Sequence, residues 1–96
     1  MRLELSGLVE ADLDLIAATI AEDNPRRAVS FIQEIRVKLA AVAQDPLIYQ
    51  LRPDIGEGAR MASVGRYAIL FRVAVDVVRV ERVVYGGRDL PEMLNA

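Results

Sequence analysis

Residues 58–87 read GARMASVGRYAILFRVAVDVVRVERVVYGG, and this stretch decides the fold. Strong β-formers run through it, broken only where Gly65 offers a tight turn, where Asp76 turns the chain, and at Gly86-Gly87. The pattern predicts three strands, Arg60–Val64, Arg66–Ala74 and Val77–Tyr85. Alternation along the middle one puts Tyr67, Ile69, Phe71 and Val73 on one face, with Ala68, Leu70 and Arg72 on the other. In the last strand Val78, Val80 and Val84 share a face that Arg82 interrupts, so a bulge or a partner-facing edge is expected there.

Upstream of these strands the period changes. Tyr49–Gly58, with Pro53, Gly56 and Gly58, reads as irregular. Before it, Ala28, Ile32, Ile35, Leu39 and Val42 fall on one helical stripe with Phe31 beside them, and Asp45-Pro46 marks the exit. Asn24 can cap this helix while Pro25 takes its first position, where a missing N–H costs nothing. An earlier helix, Leu8–Glu22, carries Val9, Leu13, Ile16 and Ile20 on its buried stripe, and Ser6 could cap it. Glu10, Asp12 and Asp14 lie early in it, where carboxylates suit the helix dipole. Arg2–Ser6 alternates like a half-buried strand. Asp89–Leu94, with Pro91 near its start, suggests one helical turn. The order β-α-α-β-β-β predicts an α+β fold, a helical hairpin on one face of a mostly antiparallel four-stranded sheet, in a single domain over 1–96.

Composition narrows the chemistry. Of 96 residues, 53% are hydrophobic and only five are aromatic, so the core is aliphatic. Zero Cys and zero His remove disulfides, thiolate ligands and the usual neutral-pH base, and no cofactor or metal is expected. Neither a leader nor a membrane span is legible, which points to the cytoplasm. The net charge of −2 argues against a DNA-binding surface, but its distribution is uneven. Residues 1–51 carry eight acidic and five basic side chains, and residues 52–96 six and seven. All seven of the latter are arginine, whose planar fork suits carboxylate pairing and interface stacking.

Four segments in order resemble the RelE/ParE toxin superfamily, closest to its ParE branch, over nearly the whole chain. Ala11-Asp12-Leu13-Asp14-Leu15-Ile16 resembles the family's A-x-x-D-L-x-x-I opening, and Asn24-Pro25-Arg26-Arg27-Ala28 its N-P-x-x-A helix entry. Residues 58–73 resemble the hairpin G-x-R-x-x-x-V-G-x-Y-x-I-x-Y-x-V, and residues 83–89 the terminal V-x-H-G-x-R-D. Phe71 stands where the family has Tyr, and Tyr85 where it has His. The resemblance implies the toxin of a type II toxin–antitoxin pair, neutralised by a ParD-like antitoxin in a hetero-oligomer, with DNA gyrase as target and no enzymatic step. Two alternatives stay open at this point: a RelE-like ribosome-dependent mRNA endoribonuclease, and a non-toxic binding module of the same fold. The ribonuclease branch uses clustered Lys and Arg with a Tyr near the C-terminus, and after Asp89 this chain has none.

The residues available for partner contact are Arg60, Arg66, Arg72, Arg82, Tyr85 and Arg88, in the hairpin and after it. They could form an electropositive platform or simply a solvated strand surface. Tyr85, at a strand end, fits packing or contact equally, and Arg88-Asp89 could be a local ion pair. Asp12 and Asp14, two apart on a helix, cannot face one another and read as a solvated acidic face. Ala68 and Leu70 read as an unfinished apolar face that an antitoxin would cover.

Overall fold

The computed structural model describes residues 1–95. The elements follow the hydrophobic periods: β1 (Arg2–Leu5), α1 (Val9–Ala21), α2 (Pro25–Gln44), β2 (Gln50–Leu51), β3 (Arg60–Val64), β4 (Tyr67–Val73) and β5 (Val77–Tyr85). A short 3-10 turn, Pro46–Ile48, leads out of α2. The sheet order is β1-β5-β4-β3-β2. Successive strands pair antiparallel, while β1 lies parallel to β5, because the helical hairpin carries the chain back across the sheet.

Five strands replace the four expected. Gln50 and Leu51 fall in the segment read as irregular, yet they pair with Met61 and Arg60. A two-residue strand has no period to read. It is held by its ends: the Arg60 guanidinium donates to the Tyr49 carbonyl at 2.7 Å, and Arg52 N–H donates to the Ala59 carbonyl at 2.7 Å.

Local punctuation behaves as the residue types dictate. The Asn24 side chain accepts from Arg27 N–H at 3.1 Å, with Pro25 opening α2. Ser6 is not the N-cap residue of α1, which is Leu8, but its hydroxyl accepts from Leu8 N–H at 3.3 Å and donates to the Glu81 carbonyl at 2.6 Å. Gly65-Arg66 closes the β3–β4 hairpin, with φ of 55° at Gly65, the type II′ arrangement that favours glycine. The last segment is a run of turns with no helix. Glu92 adopts φ of 64°, and its N–H donates to the Asp54 carbonyl while Leu94 N–H donates to that of Ile55.

The main core lies between hairpin and sheet, where Val9, Leu13, Ile16, Ile35, Leu39, Val42, Ile69, Phe71, Val78, Val80 and Val83 are buried. Ile20 and Ile32 sit at its margin. Phe31 takes the central place on α2 expected of Ile32, because its ring packs on Tyr67 at 5.6 Å and under the Gly65 turn. Phe71 is fully buried, edge-on to Tyr49 at 5.9 Å, a place that suits a ring without a hydroxyl.

The opposite face of the sheet is not open. Ala68, Leu70 and Val84 are buried beneath Ile55 and Ala59 from the 52–59 loop and Leu90 from the tail. The unfinished face read at Ala68 and Leu70 is thus closed by the chain itself. Arg72 bolts this cover down, donating to the Glu57 carbonyl at 2.8 Å and to that of Leu94 at 3.0 Å.

One irregularity joins the two layers. Leu70 pairs with Arg82 and Phe71 with Val80, so Glu81 is an extra residue in β5. An inserted residue reverses the alternation beyond it. Val83, not Val84, therefore joins Val78 and Val80 in the main core, and Val84 joins the second layer.

Candidate partner-binding surface

Three of the six residues singled out from the sequence are spent on the fold. Arg60 holds the 47–49 segment through the Tyr49 carbonyl, and Arg72 pairs with Glu81 at 2.9 Å besides securing the cover. Arg82 lies just past the end of β1, where β5 loses its neighbour on that side. Its Nε and Nη2 donate to the two carboxylate oxygens of Asp12, each at 2.8 Å. The same carboxylate accepts from Val83 N–H at 2.9 Å, so α1 satisfies the strand edge that β1 leaves bare. The Asp12 side chain is 10% exposed and is no part of a solvated acidic face. The Asp12 hydrogen bonds also raise the pKa of Arg82 above its ordinary value.

The other three converge. Arg66 sits in the β3–β4 turn, and Tyr67 pairs with Tyr85 across the sheet. The Arg66 carbonyl accepts from Gly86 N–H at 2.7 Å, which brings the turn against the end of β5. Arg88 follows two residues later, exposed like Arg66. Neither guanidinium has an intramolecular partner among the described residues, and no ion pair joins Arg88 to Asp89. Tyr85 is 48% exposed, its ring edge-on to Tyr67 at 6.0 Å. Arg66, Arg88 and Asp89 border a cleft of about 350 Å³ whose far wall is Arg52 and Met61.

Arg52 was not singled out from the sequence. Its guanidinium grips Asp54 at 2.8 and 2.9 Å, and that hydrogen bonding holds the Asp54 carboxyl below its usual range while raising Arg52. Spacing alone gives no sign that Arg52 faces Arg66 and Arg88, because a loop crossing brings them together.

Exposed apolar surface lies elsewhere, along the hairpin. Ala17, Ala21, Ala28, Val29 and Ile32 line a groove of about 510 Å³ between α1 and α2. Val37 and Ala41 of α2 border another of about 590 Å³ beside Val64 of β3. Val29 and Val37 fall off the buried stripe, and Val37 is 71% exposed. Among the described residues no three Asp or Glu side chains converge as a metal site would need, and no helix is long and apolar enough to cross a membrane.

Solved structures with the same architecture exist. One chain of the chromosomal ParDE TA system from P. aeruginosa superimposes with a TM-score of 0.77. The two share 23% identity over 88% of this chain and 95% of that one, a likeness of fold. No curated protein sequence gives a significant match. The family model for the ParE toxin of type II toxin-antitoxin system, parDE, matches residues 3–90, which takes in both helices and all of the sheet but Arg2. The chain therefore belongs to the ParE toxin family of type II toxin–antitoxin systems.

Proposed function

We propose that this ParE-family chain poisons DNA gyrase by binding it, without a catalytic step, and that a ParD-like antitoxin neutralises it in the cytoplasm. The observation that carries the non-enzymatic reading is how the polar side chains are distributed. The cleft bordered by Arg66 and Arg88 offers cations but no imidazole, and phosphodiester cleavage needs a group to deprotonate the attacking hydroxyl, for which a carboxylate such as Asp89 on the rim is a weaker base than an imidazole. Tyr67 at its edge is wedged between the rings of Phe31 and Tyr85. Arg60, Arg72 and Arg82, which a cation-rich nuclease site could have drawn on, are bound to carbonyls and carboxylates of this chain.

Two surfaces support the partner assignments. The Arg66, Tyr85 and Arg88 end of the sheet suits contact with acidic groups. The two apolar grooves flanking α2 suit the apolar face of an amphipathic antitoxin helix, which would shield Val29 and Val37 from water. Titrating purified toxin into a gyrase supercoiling reaction, beside a ribosome-dependent mRNA cleavage assay, tests the proposal. Inhibition of supercoiling that is relieved by the co-expressed antitoxin is expected. Codon-dependent mRNA cleavage with untouched gyrase would overturn it.

A further inference from the structure

Of the eleven arginines, seven (Arg27, Arg36, Arg52, Arg60, Arg72, Arg79 and Arg82) bond to groups of the chain itself. Four are left without such a partner among the described residues, namely Arg2, Arg26, Arg66 and Arg88. Two of these four border one cleft.

The backbone beneath the pair is set in advance. Gly65 holds a positive φ, and a Cβ added there would come within 3.2 Å of the Phe31 ring. A Cβ on Gly86 would meet the Arg66 carbonyl at 3.1 Å, and one on Gly87 would lie 2.4 Å from the Tyr85 ring. The close approach at Gly86 brings the main chain two residues before Arg88 against that of Arg66, and Gly87 lets the chain pass the Tyr85 ring. A site whose backbone is already placed loses less on binding than one that must assemble it.

The charge balance selects the ligand. The cleft carries Arg52, Arg66 and Arg88 against Asp89 and the Asp54 that grips Arg52, a local charge of +1 on a chain whose net charge is −2. Asp54 already pairs with Arg52, which leaves Arg66 and Arg88 as the open positions. Two forked guanidiniums match a carboxylate, each able to take both its oxygens. Asp89 on the rim opposes a continuous polyphosphate, and the neighbouring Met61 and Leu90 offer apolar contact to an adjoining side chain. About 350 Å³ is at the small end for a ligand site, which suits a short peptide segment.

We infer that this cleft is a receptor for an acidic residue flanked by an apolar one, presented by a protein partner in an exposed segment. The inference deepens the protein-binding reading above and rests on it. The test is a titration of the isotopically labelled full chain, followed by amide shifts, with acetyl-Leu-Glu-Asp-Leu-amide. Its Gln-Asn counterpart and an oligouridylate serve as the other two probes. The acidic peptide should move Gly65, Arg66 and Gly86–Arg88, and added salt should weaken it. In the Arg66→Gln/Arg88→Gln double variant its affinity should fall by at least about tenfold. Arg26→Gln, which removes an unpartnered arginine at the start of α2, should change nothing. Thermal melts establish that each variant is folded, which both positions being exposed favours.

Equal binding of the acidic and amide peptides, or unchanged affinity in the double variant, overturns the inference. Tighter, competing binding by the oligouridylate overturns it in favour of a nucleic-acid site. Supercoiling is assayed on the same samples. Gyrase inhibition without peptide binding removes the cleft assignment alone, and peptide binding without gyrase inhibition removes the target assignment alone.

Discussion

Replacing Asp12 with alanine should destabilise this domain more than any other single change on its helical surface. One carboxylate accepts three hydrogen bonds, two from Arg82 and one from Val83 N–H, and its loss strands a donor on β5 and a cation beside it. Cutting a buried ion pair at one partner costs about 3–5 kcal/mol. The Arg82 side chain keeps 27% of its exposure, so water recovers part of that, and a loss of about 2–4 kcal/mol is expected. A chain of this length has roughly 5–14 kcal/mol in hand. At about 4–8 °C per kcal/mol, the melting temperature should drop by about 8–32 °C. Asp12→Asn keeps an acceptor for Val83 and should lose about half as much. Urea unfolding of Asp12→Ala, Arg82→Met and the double variant closes a thermodynamic cycle. A coupling energy under about 0.5 kcal/mol, or a single-variant loss that small, would refute the claim that α1 completes the β5 edge.

Other expectations follow from the same packing. Ile35→Ala, at a fully buried position, should cost about 2–5 kcal/mol in denaturant unfolding. Gly65→Ala should cost about 1–3 kcal/mol, because it forces a left-handed residue against Phe31, and a neutral result would deny the turn its constraint. The Arg36 hydrogen bonds lower the pKa of Glu10, so that pair stabilises fully above the unfolded value near about 4.3 and fades as pH falls through the folded one. Both partners are solvent-exposed, so Glu10→Gln should flatten the acid limb of the stability profile only slightly. Tyr85→Phe keeps the ring on Tyr67 and removes the hydroxyl alone, so growth arrest should persist; lost toxicity with intact target binding would mean that the hydroxyl takes part in chemistry.

The helices, the Asn24 cap of α2 and the three long strands were legible because each is written locally: Asn24-Pro25 opens α2, and Val9, Leu13 and Ile16 recur at helical spacing. What escaped has no local period. Phe31 displaces Ile32 because of where the Gly65 turn lies, and a two-residue strand at Gln50–Leu51 leaves no alternation. Arg82 was flagged as anomalous in its strand, and a bulge does lie beside it. Its partner Asp12 stands 70 residues away, where no spacing rule reaches. The candidate contacts divided on the same ground. Sequence placed the arginines on strands and turns, but only folded geometry separates Arg72, spent on the tail, from Arg66 and Arg88, left open.

The parallel pairing of β1 with β5 has a consequence for how the molecule comes into being. The partners lie 75 residues apart, so β1 waits for a strand made much later. Loops that long are slow to close, and until they close Leu3 and Leu5 have no neighbouring strand to lie against. The second apolar layer is also sealed by residues from beyond β5. On a ribosome the helical hairpin can form early, but the surface bearing Arg66 and Arg88 is assembled only after β5 and the residues that follow it have emerged. The grooves beside α2 therefore have walls on the hairpin that can fold before the cleft between Arg66 and Arg88 exists.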